Sequence, residues 1–286
     1  MKFGLYVNPD KDRDLAIARN AAKLVSQLGG SCLIGSQYAQ TQLAEEEHVE
    51  IGEYASCDLT LSMGGDGTFL SAVHLPGCEA LPIAGINLGS VGFLPEIKPE
   101  SVEDSIKKIF HGQYQIDERM MLSVACYDPE GNLLEQGDAL NDAVISRGGK
   151  SRILMLDLQI NREMVERIPG DGIIVSTPTG STAYSLSASG PIVHPDLKLM
   201  LITPICPHTL HNRSYIAHAD SAVAIRICEY PYHAVLAIDG RKEIDLASGC
   251  SIVIKQAQRS LKMLRLGEDR FYATLPQKIQ ARGKVN

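Results

Sequence analysis

Residues 58–73, DLTLSMGGDGTFLSAV, set two glycines, an aspartate and a third glycine between two apolar runs. The first run reads as a strand and the second as a helix. A glycine turn that leaves a strand and opens a helix points backbone N–H groups outward, and the helix N-terminus adds partial positive charge. Glycine lets that backbone approach a ligand closely. The stretch therefore suits a phosphate, with Gly64, Gly65 and Thr68 against it. It is not a Walker A loop, because no Lys follows as in G-x-x-x-x-G-K-[ST], and it is not G-x-G-x-x-G either. Asp66 sits awkwardly in an anion cradle unless it has its own task. It can accept a proton from an attacking hydroxyl, or help to hold Mg²⁺. The competing reading is a plain tight turn in which Asp66 caps the helix.

The alternation extends through the first 118 residues. KFGLYVN (2–8) places Phe3, Leu5 and Val7 at period two. Residues 13–28 carry apolar positions at helical spacing and stop at Gly29-Gly30. SCLIGS, DLTLSM (58–63) and LPIAGIN (81–87) are further strands. PESVEDSIKKIFHG is a helix with a capping box, Ser101 with Asp104, closing on Gly112. Strand and helix in turn predict an open parallel, Rossmann-like sheet with helices on its faces. The acidic run Glu45–Glu47 is read as a solvated loop or helix face.

From about residue 119 the texture changes. RMMLSVACYDPEGNLLEQGDALNDAVISR reads as strands separated by a DPEGN turn. RILMLDLQIN, GIIVST, SAVAIRICEY, HAVLAIDGRKEIDL, CSIVIKQ and SLKMLRL are more short strands between turn residues. The prediction is an α/β N-terminal domain followed by an all-β C-terminal domain.

Composition narrows the function classes. A net charge of −7 with no Lys/Arg-rich stretch argues against a nucleic-acid or membrane-surface partner. No apolar run reaches spanning length, and the N-terminus turns polar too soon for a signal-peptide core. Seven scattered cysteines, none in C-x-x-C, fit free thiols in a reducing cytosol, so a cytoplasmic protein is expected. Cys206 and His208 lie close together, but no second ligand pair accompanies them, so no structural metal is expected.

GGDGTF resembles the signature of a kinase superfamily that includes NAD kinases, diacylglycerol kinases, sphingosine kinases and phosphofructokinases. A second stretch chooses among them. PGDGIIVSTPTGSTAYSLSASGPIVHP (169–195) is similar to the long second motif of NAD kinases. LNDAVI (140–145), PICPHTL (204–210), AIDG (237–240) and GINLGSVGFL (85–94) resemble other segments of that family, in order along nearly the whole chain. The resemblance implies Mg²⁺-dependent transfer of a phosphoryl group from ATP to the 2′-hydroxyl of the adenosine ribose of NAD, giving NADP. Another divalent cation can replace Mg²⁺. It implies the two-domain fold of that family: 1–118 with about 262–286 returning, and a β-rich NAD-binding domain over 119–261, with the active site between the two. It also implies a homodimer or homotetramer.

The residue roles carried by the resemblance are these. Asp66 matches the general base, which takes the 2′-OH proton as the oxygen attacks the γ-phosphorus. Such a base contributes about 10²–10⁴-fold. Gly67 lines the phosphate region, and Phe93 matches a position beside the NAD pocket, against the alternative of an ordinary core Phe. Asn141 and Asp142 match an Asn-Glu pair that holds ribose hydroxyls, with Asp here in place of Glu; a carboxylate accepts from two hydroxyls at once. Their alternative is a turn or strand end. Asp171 matches an aspartate at the nicotinamide end. Thr182, Ala183, Tyr184 and Ser187 match TAYSLS, with the Tyr184 ring suited to packing on a base; a Gly/Ser/Thr-rich loop without a ligand is the bland reading. Arg152 falls where a polar contact to pyrophosphate occurs, or is a surface arginine. His208 is read as structural, and Arg241 stands where many relatives carry Gln. Two other functions share the glycine motif: a lipid kinase, and a non-catalytic dinucleotide-binding regulator.

Overall fold

The computed structural model describes residues 1–89, 92–149, 152–209, 213–268 and 271–282. Ser90 and Val91 of the 85–94 stretch, Leu210 of 204–210, and positions 269, 270 and 283–286 of the C-terminal segment lie outside the described residues. The chain divides into two compact units: Met1–Glu118 with Leu261–Asn286, and Arg119–Ser260.

The first unit contains β1 (Lys2–Val7), α1 (Ala16–Gln27), β2 (Ser31–Ile34), β3 (Val49–Ile51), β4 (Leu59–Gly64), α2 (Asp66–Val73), β5 (Ile83–Asn87) and α3 (Val102–Phe110). The strands lie in the order β5-β4-β1-β2-β3, and every pair is parallel. All six residues of β4 are buried, as expected of a strand covered on both faces. Phe3, Leu5, Leu61, Ile86 and Ile106 belong to one core cluster of this unit. From β1 the chain first builds β2 and β3 on one side, then returns to build β4 and β5 on the other. The order thus reverses between β1 and β4. Open α/β sheets place ligands at such a switch point, outside the carboxyl ends of the strands.

Local chemistry departs from expectation at three places. The helix predicted from residue 13 becomes regular only at Ala16, after Asp14 and Leu15 adopt left-handed backbone (φ 56° and 52°). Buried Asp12 replaces the missing cap: its carboxylate accepts the N–H groups of Ile17 (3.0 Å) and Ala18 (2.9 Å). The capping box of α3 does not form. Ser101 closes a short 3₁₀ turn and its hydroxyl donates to the Lys98 carbonyl instead. Within the acidic run, Glu46 is largely covered and pairs with Arg19 (2.6 Å) and Lys23 (3.5 Å), while Glu47 stays exposed.

The second unit is built from the greater part of β6 (Gln115–Tyr127), β7 (Leu133–Ala139), β8 (Asp142–Arg147), β9 (Leu154–Ile160), β10 (Glu163–Gly170), β11 (Gly172–Ser176), α4 (Tyr184–Ser187), β12 (Leu199–Ile205), β13 (Tyr215–His218), β14 (Val223–Ile227), β15 (Ala234–Ile238), β16 (Lys242–Leu246) and the first part of β17 (Ser251–Arg265). One antiparallel sheet runs β13-β12-β11-β8-β15-β16. A second set pairs β10-β9-β14-β17, also antiparallel. Their apolar faces share one core, including Ile145, Ile173, Leu158, Ile225 and Ile252. Asn161-Arg162 and Asp239-Gly240 make tight hairpin turns with positive φ at both residues (54° and 70°; 50° and 62°).

CSIVIKQ and SLKMLRL, expected as two strands, form the single 15-residue β17. The residues between them contain neither Gly nor Pro, so nothing breaks the extended backbone. Its last residues belong to the first unit, where Met263 registers with Ile83 of β5. The C-terminal helix α5 (Phe271–Arg282) was not legible, because Pro276 interrupts it and its apolar residues follow no stripe. Among the described residues, no helix is long and apolar enough to cross a membrane. The seven cysteines are free thiols, with Cys206 exposed.

Candidate active site

In the first unit, β4 ends at Gly64, whose carbonyl still accepts the Leu88 N–H (2.9 Å) within the sheet. Extended Gly65 precedes α2, and Asp66 is the first residue of that helix. A cavity of about 390 Å³ opens here, lined by Asn8, Pro9 and Lys11 beyond β1 and by Gly67, Thr68 and Ser71 of α2. It lies at the switch point between β1 and β4. Thr68 is buried and its hydroxyl accepts from Asn8 Nδ2 (3.4 Å). The amine of Lys11 reaches the glycine turn: a Cβ placed on Gly65 would stand 2.8 Å from Nζ, and one on Gly89 2.9 Å. A cation, backbone N–H groups and a helix N-terminus thus face one cavity, a combination suited to a phosphate chain.

Asp66 makes a connection that the motif does not reveal. Its carboxylate accepts the backbone N–H of Phe93 (3.0 and 3.2 Å) and of Leu94 (3.0 Å). The loop comes this close because residue 92 is glycine; a Cβ there would fall 2.4 Å from Asp66 Oδ1. Phe93 is in turn held by α5. Lys278 Nζ lies 5.6 Å from the centre of its ring and 3.5 Å from its carbonyl oxygen.

In the second unit, Asp142 opens β8 and Asn141 immediately precedes it. The 177–182 turn packs on them: Thr177 N–H donates to the Asn141 carbonyl (2.9 Å), and its hydroxyl donates to the Leu140 carbonyl (2.5 Å). Gly180 is required there, since a Cβ would fall 2.1 Å from the Asn141 oxygen. The backbone N–H of Tyr184, at the start of α4, acts on buried Asp142 and favours its charged form. Burial, and then the charge of Asp239, push the Asp142 carboxyl up to about 7. Thr182 is buried with its hydroxyl on the Thr179 carbonyl (3.2 Å), Ala183 donates its N–H to the Gly180 carbonyl (2.8 Å), and Ser187 is exposed at the end of α4.

Asp171 lies between β10 and β11 and pairs with Arg147 (2.7 Å). Both line a cavity of about 420 Å³ with Tyr184 and Glu243. Asp171 and Tyr184 are therefore brought together, while Asn141 and Asp142 do not line this cavity. Arg152 is not: it is exposed, it does not line this cavity, and its carbonyl accepts the Tyr230 hydroxyl (3.3 Å). His208 is exposed, with its N–H on the Pro169 carbonyl (2.7 Å).

Lys11, Arg147 and Lys278 escaped sequence reasoning, and Asp239 stood only within the AIDG segment, without a role. Lys11 had a usable signal, since it follows a strand end at the start of an α/β pattern. Asp239 sits in an Asp-Gly hairpin turn, which reads as turn chemistry and hides a second role.

Comparison with known proteins identifies the family. Residues 3–114 match the ATP-NAD kinase N-terminal domain family and residues 140–266 the ATP-NAD kinase C-terminal domain family. The NAD kinase of Acetivibrio thermocellus is 37% identical over 99% of this chain and 99% of its own length. That of Ruminiclostridium cellulolyticum is 36% identical over 98% of both. The fold is shared with yeast NADH kinase crystallised with NADH (TM-score 0.86, 23% identity, 100% of this chain and 89% of that one). It is shared too with an Archaeoglobus fulgidus NAD kinase in complex with ATP (TM-score 0.75, 23% identity, 98% and 99%). By sequence over its whole length and by fold, the chain belongs to the ATP-NAD kinase family.

Proposed function

We propose that this protein transfers the γ-phosphoryl group of ATP to the 2′-hydroxyl of the adenosine ribose of NAD, with Asp66 as the proton acceptor. The observation that carries the reading is the glycine turn at the start of α2, where Asp66 immediately precedes Gly67 and Thr68, which line a switch-point cavity that also presents Lys11. The match to NAD kinases along the chain sets aside the lipid-kinase alternative.

Two backbone N–H groups aim the Asp66 carboxylate. A carboxylate offers about four acceptor positions, so this hold is compatible with receiving a hydroxyl proton. Removing that proton as the oxygen attacks phosphorus raises its nucleophilicity. Lys11 and the Gly67–Thr68 N–H groups offset the charge of the ATP phosphates. In the second unit, Asn141 and Asp142 hold the ribose hydroxyls, Tyr184 packs on a base, and Asp171 serves the nicotinamide end.

Among the described residues no three His, Cys, Asp or Glu side chains converge into a metal cage. Mg²⁺ needs none, because it binds through one or two carboxylates together with substrate phosphates. The ATP phosphates would supply most of its ligands, and the bound ion would neutralise phosphate charge. The family resemblance further supports a homodimer or homotetramer.

The test is NADP formation from NAD, ATP and Mg²⁺ in an NADP-specific coupled assay. Asp66→Asn is expected to lower turnover by about 10²-fold or more while leaving NAD bound. Folded wild-type protein that binds NAD yet forms no NADP with ATP would overturn the proposal.

A further inference from the structure

Two aspartates are buried at the start of β8, where the carboxylate of Asp239 is bonded to the backbone that carries Asp142, and the reaction as outlined uses one of them. Asp239 follows β15, nearly a hundred residues from Asp142, and is 7% exposed against 5% for Asp142. It accepts the N–H groups of Leu140 (2.8 Å), Asn141 (2.8 Å) and Asp142 (3.2 Å). Its own N–H donates to the Asp142 carbonyl (3.0 Å). Three consecutive peptide units are thereby oriented by one side chain, and they are the units that present Asn141 and Asp142. Asp239 itself adopts left-handed backbone (φ 50°), uncommon for a non-glycine residue.

We propose that Asp239 is a positioning residue which sets both the orientation and the protonation of Asp142, and so makes recognition of the ribose diol depend on pH. The proposal rests on the reading that Asp142 holds ribose hydroxyls. The uncharged 177–182 turn packs on the backbone of Leu140 and Asn141. β11 offers Ser176 in register, α4 offers the Tyr184 N–H, and β15 leads to Asp239. Among the described residues, Asp239 is the charged group acting on it. A charged Asp142 accepts from both hydroxyls of a diol, whereas its acid form has lost an acceptor and gained a donor. Burial and the Asp239 charge hold that exchange at about pH 7. Below it NAD binding must first expel a proton from Asp142; above it the carboxylate is ready.

The experiment has a ligand-free arm and a binding arm. Carboxyl ¹³C shifts of Asp142 are followed by NMR from about pH 5 to about pH 9 in wild-type protein and in Asp239→Asn. NAD affinity is measured by calorimetry over the same range. The expected wild-type results are a carboxyl midpoint near 7 and an NAD dissociation constant that rises up to about tenfold per pH unit below it. Asp239→Asn is expected to move both midpoints down, with the part of the shift that comes from burial remaining. Asp239→Glu, which keeps the charge, is expected to retain the pH dependence and serves where Asp239→Asn does not fold. A wild-type carboxyl midpoint below about 5, a flat affinity curve, or an unchanged midpoint in folded Asp239→Asn each overturns the proposal. Asp142→Asn separates the two readings. If it binds NAD as wild type does above pH 8, the ribose assignment fails, whatever the carbon titration says of Asp239.

Discussion

A buried acid with a raised proton affinity carries a thermodynamic signature at the scale of single residues. Asp142 binds its proton more tightly folded, at about 7, than at the ordinary value of 3.8, chiefly because burial disfavours its charge. Between those limits the native state holds more protons than the unfolded state. Its contribution to stability is therefore full below about pH 4 and is lost as pH rises through about 7. Replacing Asp142 by Asn removes the term. Denaturation of the NAD-free protein is expected to show the variant gaining on wild type across that window, by on the order of a few kcal/mol. Parallel stability curves for the two proteins would contradict this. The motif LNDAVI named Asp142 directly; nothing near it in sequence named Asp239, since the bonds that join them span 97–99 residues.

At the scale of elements, the decisive relation is between α2 and the loop after β5. Asp66 and Phe93 are 27 residues apart, and their contact needs a glycine at 92. Gly92→Ala is expected to push the loop off Asp66. In steady-state kinetics, kcat should fall by about tenfold or more, an energy of about 1.4 kcal/mol in the barrier. Lys278→Met keeps the helix and removes the charge over Phe93. It is expected to cost about 0.5–1 kcal/mol of that restraint, a two- to fivefold fall in kcat. Equal wild-type kcat in both variants would show that the loop does not position the base. Element identities were largely legible where a period ran uninterrupted, as in β1, β4 and β5. The capping box at Ser101 misled because a 3₁₀ turn offered its hydroxyl a nearer carbonyl. The cap at Asp12 was missed because it stands beyond a left-handed pair.

For the whole molecule, the end of the chain completes the core of the unit that its beginning started. Leu264 is 4% exposed and packs in the cluster that contains Phe3, Leu5 and Leu61. Leu264→Ala leaves a cavity there and is expected to cost about 2–5 kcal/mol. Hydrogen exchange should show faster loss of protection in β1 and β4, with the β8–β11 ladder of the second unit spared. Uniform loss in both ladders would mean that the two units do not open separately.

Periodicity and turn residues determined the α/β half and the β half; the glycine-rich motifs and LNDAVI carried the family resemblance, which pointed to Asp66, Asn141 and Asp142. These signals are local: a strand or helix face repeats every two to four residues, and a turn is written within four. The tertiary structure alone decided that Lys11 faces the glycine turn, that the Phe93 loop grips Asp66, that Lys278 backs Phe93, and that Asp239 stands behind Asp142. Each of those relations joins residues far apart in the chain, and their meeting depends on the path of every strand between them.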